Sequence, residues 1–271
     1  MNNSYYRALT IGGSDSSGGA GIQADIKTFS ALGCYGMSAI TVLTAQNTKG
    51  VFGIRDVSSE FVVNQIMSIL DDIGVDAVKI GMLFNTSIIK DVAKCMRVNK
   101  VSPIVLDPVM FAKSGDPLLQ KDAIHSIRDE LFPLATLVTP NILEAEALLE
   151  RNIESPGAME QAAVDLCSLG PQGVIIKGGS LLNHSSDDCM FVKNGKLQWV
   201  RQDRIETQNI HGTGCTLSSA ITAFLAKSFS LEDSVMEAKK YVSNAIQSGS
   251  TKKLGFGNGP VMHFYKTWKG I

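Results

Sequence analysis

The sequence predicts an α/β fold in which a mostly parallel sheet is covered by helices on both faces. Short apolar runs alternate with longer amphipathic stretches along the 271-residue chain, and this order is typical of repeated strand–helix units. Several of the runs are continuously apolar, which indicates strands that are buried on both faces, as in a parallel sheet.

The individual elements follow from the same two patterns. The predicted strands are Ala8–Ile11, Ser38–Leu43, Gly50–Val57, Ala77–Ile80, Ile104–Leu106, Thr136–Val138 and Gly173–Ile176, with a hairpin over Cys189–Val200 that turns at Lys193–Lys196. The predicted helices are Ile22–Leu32, Ser59–Ile73, Thr86–Asn99, Lys121–Leu131, Thr213–Lys227 and Leu231–Ser248. No linker or fixed-period repeat interrupts this alternation, so we expect one domain over residues 1–271.

Composition excludes several classes of function. The formal net charge is −1 and no Lys/Arg block occurs, so the chain has no electrostatic footprint for nucleic acid or an acidic membrane surface. The five cysteines are widely spaced and form no CxxC pair, which favours a reducing compartment over a disulfide framework. The beginning of the chain lacks a signal-peptide layout, and no apolar run is long enough to span a membrane. We expect a cytoplasmic protein.

Ligands of such sheets bind beyond the carboxyl ends of the strands, so the residues after each apolar run are the candidates. After the first strand, the glycine-serine loop Gly12–Gly21 can expose backbone N–H groups to a ligand, or can be a flexible connection. Gln46 follows the second strand and offers donors and an acceptor in one plane, which suits an aminopyrimidine edge or the capping of a loop. Met82 is either a soft wall for a flat ring or ordinary core.

Charged residues follow three later strands. Asp107 can associate with magnesium or cap the next turn. Asn141 and Glu144 lie one helical turn apart, which suits oxygen ligands of hydrated Mg²⁺ or an ordinary helix cap. Lys177 precedes two glycines and is either a point charge for a phosphate or a solvated edge lysine.

The strongest single element is His211–Thr216, which opens an apolar helix. Gly212, Thr213 and Gly214 can direct backbone N–H groups outward at a helix N-terminus, where the helix dipole adds positive potential. Such an anion hole suits the charge that develops on a transferring phosphoryl group, and it is expected to favour the thiolate of Cys215. A glycine-rich helix cap beside a small buried cysteine is the alternative interpretation.

Taken together and in order, these motifs resemble the ribokinase-like superfamily, and within it the bifunctional hydroxymethylpyrimidine and phosphomethylpyrimidine kinases. The motifs are Leu9–Asp15, Ser17–Asp25, Thr44–Thr48, Lys79–Leu83, Leu106–Met110, Lys113–Gly115, Thr139–Asn141, Lys177–Gly179 and His211–Thr216. The resemblance implies a three-layer sandwich around a mainly parallel sheet, usually a homodimer, that uses ATP and Mg²⁺. It also implies two phosphorylations of a small pyrimidine in thiamine biosynthesis.

The resemblance also implies roles for individual residues. Gln46 reads the pyrimidine, with the backbone of Gly13 and the side chains of Asp25 and Met82 around it.

The phosphate-side roles come from the same resemblance. Asn141 and Glu144 support Mg²⁺ and phosphate, and Lys177 contacts the ATP phosphates. Gly212–Cys215 forms the anion hole with Cys215 as the base, and residues around Lys239 border the adenine. Cys215 stands where most sugar kinases of the superfamily have Asp, which argues against a sugar substrate.

Two other functions fit part of the pattern. A pyridoxal or pyridoxine kinase can share the Gly-Thr-Gly-Cys element, although Ala45–Thr48 favours the thiamine branch. A non-catalytic pyrimidine sensor with the same fold would need neither Lys177 nor the anion hole.

Overall fold

The computed structural model describes residues 4–111, 119, 123–179 and 185–268. Its described strands form one nine-stranded sheet in the order β3-β2-β1-β4-β5-β6-β7-β8-β9. The strands are β1 Arg7–Asp15, β2 Tyr35–Asn47, β3 Gly50–Asp56, β4 Ala77–Ile80, β5 Ile104–Leu106, β6 Leu137–Val138, β7 Gly173–Ile176, β8 Asp188–Val192 and β9 Gln198–Val200. Strands β2, β1, β4, β5, β6 and β7 run parallel, and β3, β8 and β9 add antiparallel pairs at the two edges.

Helices cover both faces of the sheet. They are α1 Gly21–Ala31, α2 Ser59–Asp72, α3 Thr86–Val98, α4 Ala123–Ser126, α5 Ile142–Leu149, α6 Pro156–Ser168, α7 Thr213–Ala226 and α8 Leu231–Gly249. Apolar side chains of α2 to α6 form the larger core on one face, and those of α1, α7 and α8 pack on the other. The chain is therefore the three-layer α/β sandwich that the sequence predicts.

Most predicted elements are confirmed, and β4, β5 and β7 have the predicted bounds. The first two strands are longer than predicted. Strand β1 continues to Asp15 through a register shift between Gly12 and Gly13, so the connecting loop is shorter than Gly12–Gly21. The predicted helix from Lys121 is a short α4 that continues as a π-helical turn, Ile127–Leu131.

Strand β2 does not end at Leu43. It pairs with β3 as far as Asn47, and this antiparallel ribbon contains Gln46, which we had expected in the loop after the strand. The ribbon tip is held by the later chain, because the backbone N–H of Asn258 donates to the Thr48 carbonyl at 2.9 Å. Gln46 is therefore presented by a hydrogen-bonded strand, which restricts its backbone.

Local capping explains where several helices begin. Ser58, Asn85, Ser155 and Ser230 each accept a hydrogen bond from a backbone N–H of the first turn of the helix that follows, which satisfies a donor that the helix leaves unpaired. Helix α7 differs, because its N-cap residue is Gly212 and no side chain caps it. No helix among the described residues is long and apolar enough to cross a membrane.

Candidate active site

The N-terminus of α7 lies beside the glycine-serine loop that follows β1. Gly212 has a φ of 78°, which L side chains rarely adopt. A Cβ there would lie 1.8 Å from the Gly19 carbonyl oxygen. Gly212 is required by this close approach, which brings the loop against the first turn of α7. Gly19 is required because a Cβ there would lie 2.2 Å from Cδ2 of His211. The first N–H groups of α7 and its positive dipole end lie at this edge of the sheet, and their role as an anion hole stays a prediction.

Asp15 holds the loop in shape. Its carboxylate accepts hydrogen bonds from the backbone N–H groups of Gly19 and Ala20 at 3.0 and 2.8 Å and from both the N–H and the hydroxyl of Ser17. It also lies 2.9 Å from Nε2 of His211. Burial alone would raise the pKa of Asp15, but His211 and the Ser17 and Ala20 donors outweigh it and lower the pKa to about 2. Asp15 is therefore ionised.

Sequence reasoning assigned no role to Asp15 or His211. Both residues are largely buried, with side-chain exposures of 3% and 11%, and they join segments 196 residues apart. Nε2 of His211 also lies 3.4 Å from the amide of Gln46. In the sequence, the feature that could have pointed to these two residues is that each lies in or next to a glycine-rich element.

A charged cluster follows β5, β6 and β7. Nζ of Lys177 lies 2.8 Å from Asp107 and 3.8 Å from Glu144. A Cβ on Gly214 would lie 3.4 Å from the same Nζ, so the cation sits next to the anion hole. Burial alone would lower the pKa of Lys177, but the two carboxylates outweigh it and raise the pKa. Lys177 is thus a charged group within reach of a bound phosphate.

Asn141 and Glu144 form a reciprocal capping box at the start of α5. The Asn141 side chain accepts from the Glu144 N–H at 2.9 Å, and Glu144 accepts from the Asn141 N–H at 2.7 Å. Burial raises the pKa of Glu144 to about 7, with the charge of Lys177 opposing that rise. The helix-cap alternative is therefore realised, and it fixes the carboxylate beside Lys177.

The residues present fit Mg²⁺ in donor chemistry. Asp107, Glu144 and Asn141 offer the hard oxygen atoms that Mg²⁺ prefers. Among the described residues, however, no group of three or more His, Cys, Asp and Glu side chains could hold a metal ion. A bound Mg²⁺ would thus need most of its ligands from phosphate oxygens and water.

Asp25 is fully buried, and its carboxylate is occupied by protein donors. It accepts from Thr10 at 2.7 Å, from Lys79 at 2.8 Å and from Ser219 at 2.5 Å. This arrangement leaves Asp25 without exposed surface, so the structure shows an internal link between β1, β4 and α7. A direct contact of Asp25 with the pyrimidine stays a prediction.

Gly13 and Met82 meet at the carboxyl ends of β1 and β4. A Cβ on Gly13 would lie 3.3 Å from Sδ of Met82 and 2.8 Å from Cγ1 of Val42. Met82 is itself 8% exposed. Gly13 is buried, and its missing side chain lets Val42 and Met82 pack directly on the strand. Contact of either residue with a ligand stays a prediction.

Cys215 lies in the first turn of α7, where the N–H of Gly21 hydrogen-bonds its sulfur. The expectation that this position favours the thiolate is wrong. Burial, together with the charges of Asp25 and Asp107, raises the pKa of Cys215 to about 11, although Lys79 and the Gly21 N–H oppose the rise. The thiol is protonated at neutral pH, and its assignment as the base stays a prediction.

Lys239 of α8 is engaged within the protein. Its Nζ donates to Asp188 at 2.5 Å and to the Ser186 carbonyl at 2.6 Å. Further along α8, the side of the helix that carries Ser243 and Gln247 lines a cleft of about 490 Å³ with residues 202–206 opposite. Lys239 does not line this cleft, and an adenine border near it stays a prediction. The predicted motif Lys113–Gly115 lies outside the described residues.

The fold and this edge of the sheet define a class of protein. A glycine-capped helix N-terminus at the carboxyl edge of a parallel sheet, within a three-layer sandwich, is the arrangement of the ribokinase-like class. The structure resembles that of an ADP complex of Bacillus subtilis pyridoxal kinase with a TM-score of 0.89 and 37% identity, covering 96% of this chain and 98% of that one. A phosphomethylpyrimidine kinase from Clostridium difficile 630 matches with a TM-score of 0.79 and 42% identity, over 89% and 99% of the two chains.

Within that class, the chain belongs to the phosphomethylpyrimidine kinase family, whose profile matches residues 15–262. The hydroxymethylpyrimidine/phosphomethylpyrimidine kinase of Escherichia coli K12 is 45% identical over 262 residues, which cover 96% of this chain and 98% of the relative.

Proposed function

We propose that this chain is an ATP-dependent kinase that phosphorylates 4-amino-5-hydroxymethyl-2-methylpyrimidine and then converts the monophosphate to the diphosphate, in thiamine biosynthesis. The observation that carries the proposal is the meeting of three elements at one edge of the sheet. The loop after β1, the ribbon that presents Gln46 and the N-terminus of α7 are joined there through Asp15 and His211. Membership of the family supports the same reaction.

We place the pyrimidine between the apolar wall at Gly13 and Met82 and the amide of Gln46. In that position its hydroxymethyl group faces the first turn of α7, where Gly212, Thr213 and Gly214 supply backbone donors. The γ-phosphoryl group of ATP then lies between the hydroxyl and Lys177, and the adenine reaches toward the cleft beside α8. Phosphoryl transfer depends mainly on such positioning and on charge stabilisation.

Lys177 and the α7 N-terminus stabilise the negative charge that spreads over the transferring group. Lys177 is held at Asp107 at 2.8 Å, so a short side-chain movement takes its ammonium group to a bound phosphate. Asp107, Asn141 and Glu144 would hold Mg²⁺ through water and phosphate oxygens. The ion supplies additional neutralisation of phosphate charge when bound.

The proton of the alcohol must leave as the new bond forms. Cys215 is the titratable side chain of the first turn of α7, and we propose its thiolate, a minor form at neutral pH, as the acceptor of that proton. The monophosphate already carries an ionised oxygen at neutral pH, because its second pKa is about 6, and needs no such acceptor. The two phosphorylations therefore make different demands on one residue.

A pyridoxal kinase is the second candidate, since the pyridoxal kinase of Bacillus subtilis superposes over 96% of this chain. A coupled ATPase assay with the pyrimidine alcohol, its monophosphate and pyridoxal separates the two functions. We expect the highest kcat/KM with the two pyrimidines. Turnover of pyridoxal alone would refute the proposal. An absence of turnover with all three compounds would favour a non-catalytic sensor.

We further propose a cytoplasmic, one-domain protein that forms a homodimer. Large apolar side chains are exposed on β3 and at the start of α2, where Phe52 and Phe61 are 68% and 58% exposed. We place the interface on these exposed apolar side chains. Light scattering of the purified chain measures the oligomeric state, and a monomer at micromolar concentration would contradict the homodimer.

A further inference from the structure

The contact between Asp15 and His211 determines which ring nitrogen of the imidazole carries a hydrogen. The Asp15 carboxylate is ionised and can only accept hydrogen bonds. Nε2 of His211 lies 2.9 Å from one of its oxygens, a distance that requires a hydrogen on that nitrogen. Nε2 is therefore an N–H donor in the neutral imidazole as well as in the imidazolium.

The ring cannot turn away from this position. A Cβ on Gly19 would lie 2.2 Å from Cδ2 and 2.9 Å from Nε2 of His211, so the ring packs directly on the backbone of Gly19. Within the same turn, Gly212 packs against the Gly19 carbonyl. The backbone of the loop and the carboxylate of Asp15 together hold the imidazole in one orientation.

The fixed N–H group faces the side-chain amide of Gln46. In the structure the amide nitrogen lies 3.4 Å from Nε2 of His211, and the amide oxygen accepts from the Thr44 hydroxyl at 3.1 Å. The oxygen and nitrogen of an amide exchange places on a half turn about its last bond, and the neighbouring groups decide between the two orientations. The Nε2–H of His211 donates to Asp15 at 2.9 Å and has no lone pair for the amide nitrogen beside it. With the amide turned, its oxygen lies there instead and becomes a second, longer acceptor of the same N–H.

Thr44 favours the same orientation from the opposite end. Its hydroxyl has one hydrogen and lies 2.9 Å from the Ser14 carbonyl oxygen, which can only accept. With its hydrogen on Ser14, the Thr44 oxygen accepts a hydrogen from the amide nitrogen of Gln46. Both neighbours thus select the orientation with the amide oxygen toward His211 and the amide nitrogen toward Thr44.

We infer that His211, held by Asp15, is a positioning residue that orients the Gln46 amide and thereby selects a 4-aminopyrimidine over its 4-oxo counterpart. The inference rests on the proposed function, in which Gln46 reads the pyrimidine edge. An oriented amide leaves one N–H for the acceptor nitrogen of the ring and one oxygen lone pair for the exocyclic amino group.

The oxo compound presents the opposite pattern, a ring N–H donor and a carbonyl acceptor, and needs the amide turned by half a turn. The ligand cannot compensate by turning over, because its hydroxymethyl group must face α7. Binding the oxo compound would place an amide N–H against the N–H of His211 and leave polar groups unpaired. An unpaired buried polar group corresponds to a roughly 5- to 150-fold loss in affinity.

The test is calorimetric, with the 4-amino and 4-oxo pyrimidine alcohols as ligands and without nucleotide. His211→Met removes the donor, and His211→Gln is a matched variant of similar length that can place an N–H at the same point. We expect wild type and His211→Gln to prefer the amino compound strongly. In His211→Met the ratio of the two dissociation constants should fall at least about fivefold toward unity.

A folded His211→Met protein with the wild-type ratio would overturn the inference. Thermal unfolding checks that the variants are folded. Should His211→Met not fold, Thr44→Val removes the second orienting contact and is expected to lower the same ratio, and an unchanged ratio there overturns the inference equally. Gln46→Leu separates the two proposals. If this variant binds the amino compound as tightly as wild type, the contact between Gln46 and the pyrimidine is refuted. If it loses affinity while His211→Met keeps the wild-type ratio of dissociation constants, only the orienting role of His211 is refuted.

Discussion

Replacement of Cys215 by Ala tests whether the thiol accepts the alcohol proton. The substitution keeps the backbone N–H groups of the anion hole and removes only the sulfur. A positioned base contributes about 10²- to 10⁴-fold in proton transfer. We therefore expect kcat/KM for the pyrimidine alcohol to fall by about 100-fold or more and kcat/KM for the monophosphate to fall little.

The raised pKa of Cys215 adds a pH signature to this prediction. With a pKa of about 11, a thiolate makes up about one part in 10⁴ at pH 7 and increases about tenfold with each pH unit. The monophosphate is already ionised in this range. The ratio of kcat for the alcohol to kcat for the monophosphate should thus rise about 100-fold from pH 7 to pH 9 in wild type and stay flat in Cys215→Ala.

Steady-state kinetics with both acceptors over this pH range is the assay. Cys167→Ala serves as a control, because it removes a buried thiol whose hydrogen bonds go to backbone carbonyls after α6, and the ratio should keep its wild-type pH dependence. Equal losses for the two acceptors in Cys215→Ala, or a ratio independent of pH in wild type, would refute the base assignment. Equal losses would indicate that Cys215 only packs the first turn of α7.

Three further predictions concern charged and titratable groups. Lys177→Gln should lower kcat about 100-fold or more for both acceptors while calorimetry shows nearly unchanged pyrimidine affinity; retained turnover would exclude contact with the phosphates. Lys79→Met should lower the free energy of unfolding in urea by about 3–5 kcal/mol, because it leaves the buried carboxylate of Asp25 without its cation. A Lys79→Met/Asp25→Asn double variant should recover part of that loss, and a double variant less stable than the single one would contradict this reasoning. Burial lowers the pKa of His263 to about 4, so the folded protein keeps the imidazole neutral while the unfolded chain takes up a proton below about pH 6.5, and stability is lost as the pH falls. Between pH 8 and pH 5 this loss is about 2 kcal/mol, and it should be absent in His263→Asn when the two proteins are compared by urea unfolding at both pH values.

The sheet and most of its helices were predictable because apolar periodicity reports burial directly. Strand β1 was predicted too short, because Gly12 and Gly13 have no side chains to show a pattern, although their backbones pair with β2. Helix α6 was not predicted, since its many small residues weaken the apolar period. The predicted position of Gln46, in a loop after the strand, was wrong because an antiparallel partner strand extends β2. Pairing between strands is not visible in local sequence.

The site was predictable only where a local motif makes it. The glycine-capped start of α7 follows from two glycines in the sequence, and the proximity of Lys177 to it follows from parallel strands that end together. The Asp15–His211 contact joins residues 196 positions apart, so no local pattern reveals it. The thiolate expectation for Cys215 failed for a related reason. The helix dipole can be inferred from sequence, whereas the burial of the thiol and its proximity to the carboxylates of Asp25 and Asp107 cannot.

The interlocked Gly19 and Gly212 also determine when the site can exist during synthesis of the chain. The loop after β1 emerges among the first residues made, yet its partner segment at α7 emerges only when most of the chain has been translated. A nascent chain that ends before α7 leaves Asp15 without His211 and leaves Asp25 without Ser219. Such a chain can contain most of the sheet and still lack the side of the proposed site that α7 forms. Ligand binding can therefore stabilise only a chain that has reached α7, and it cannot assist the folding of shorter nascent chains.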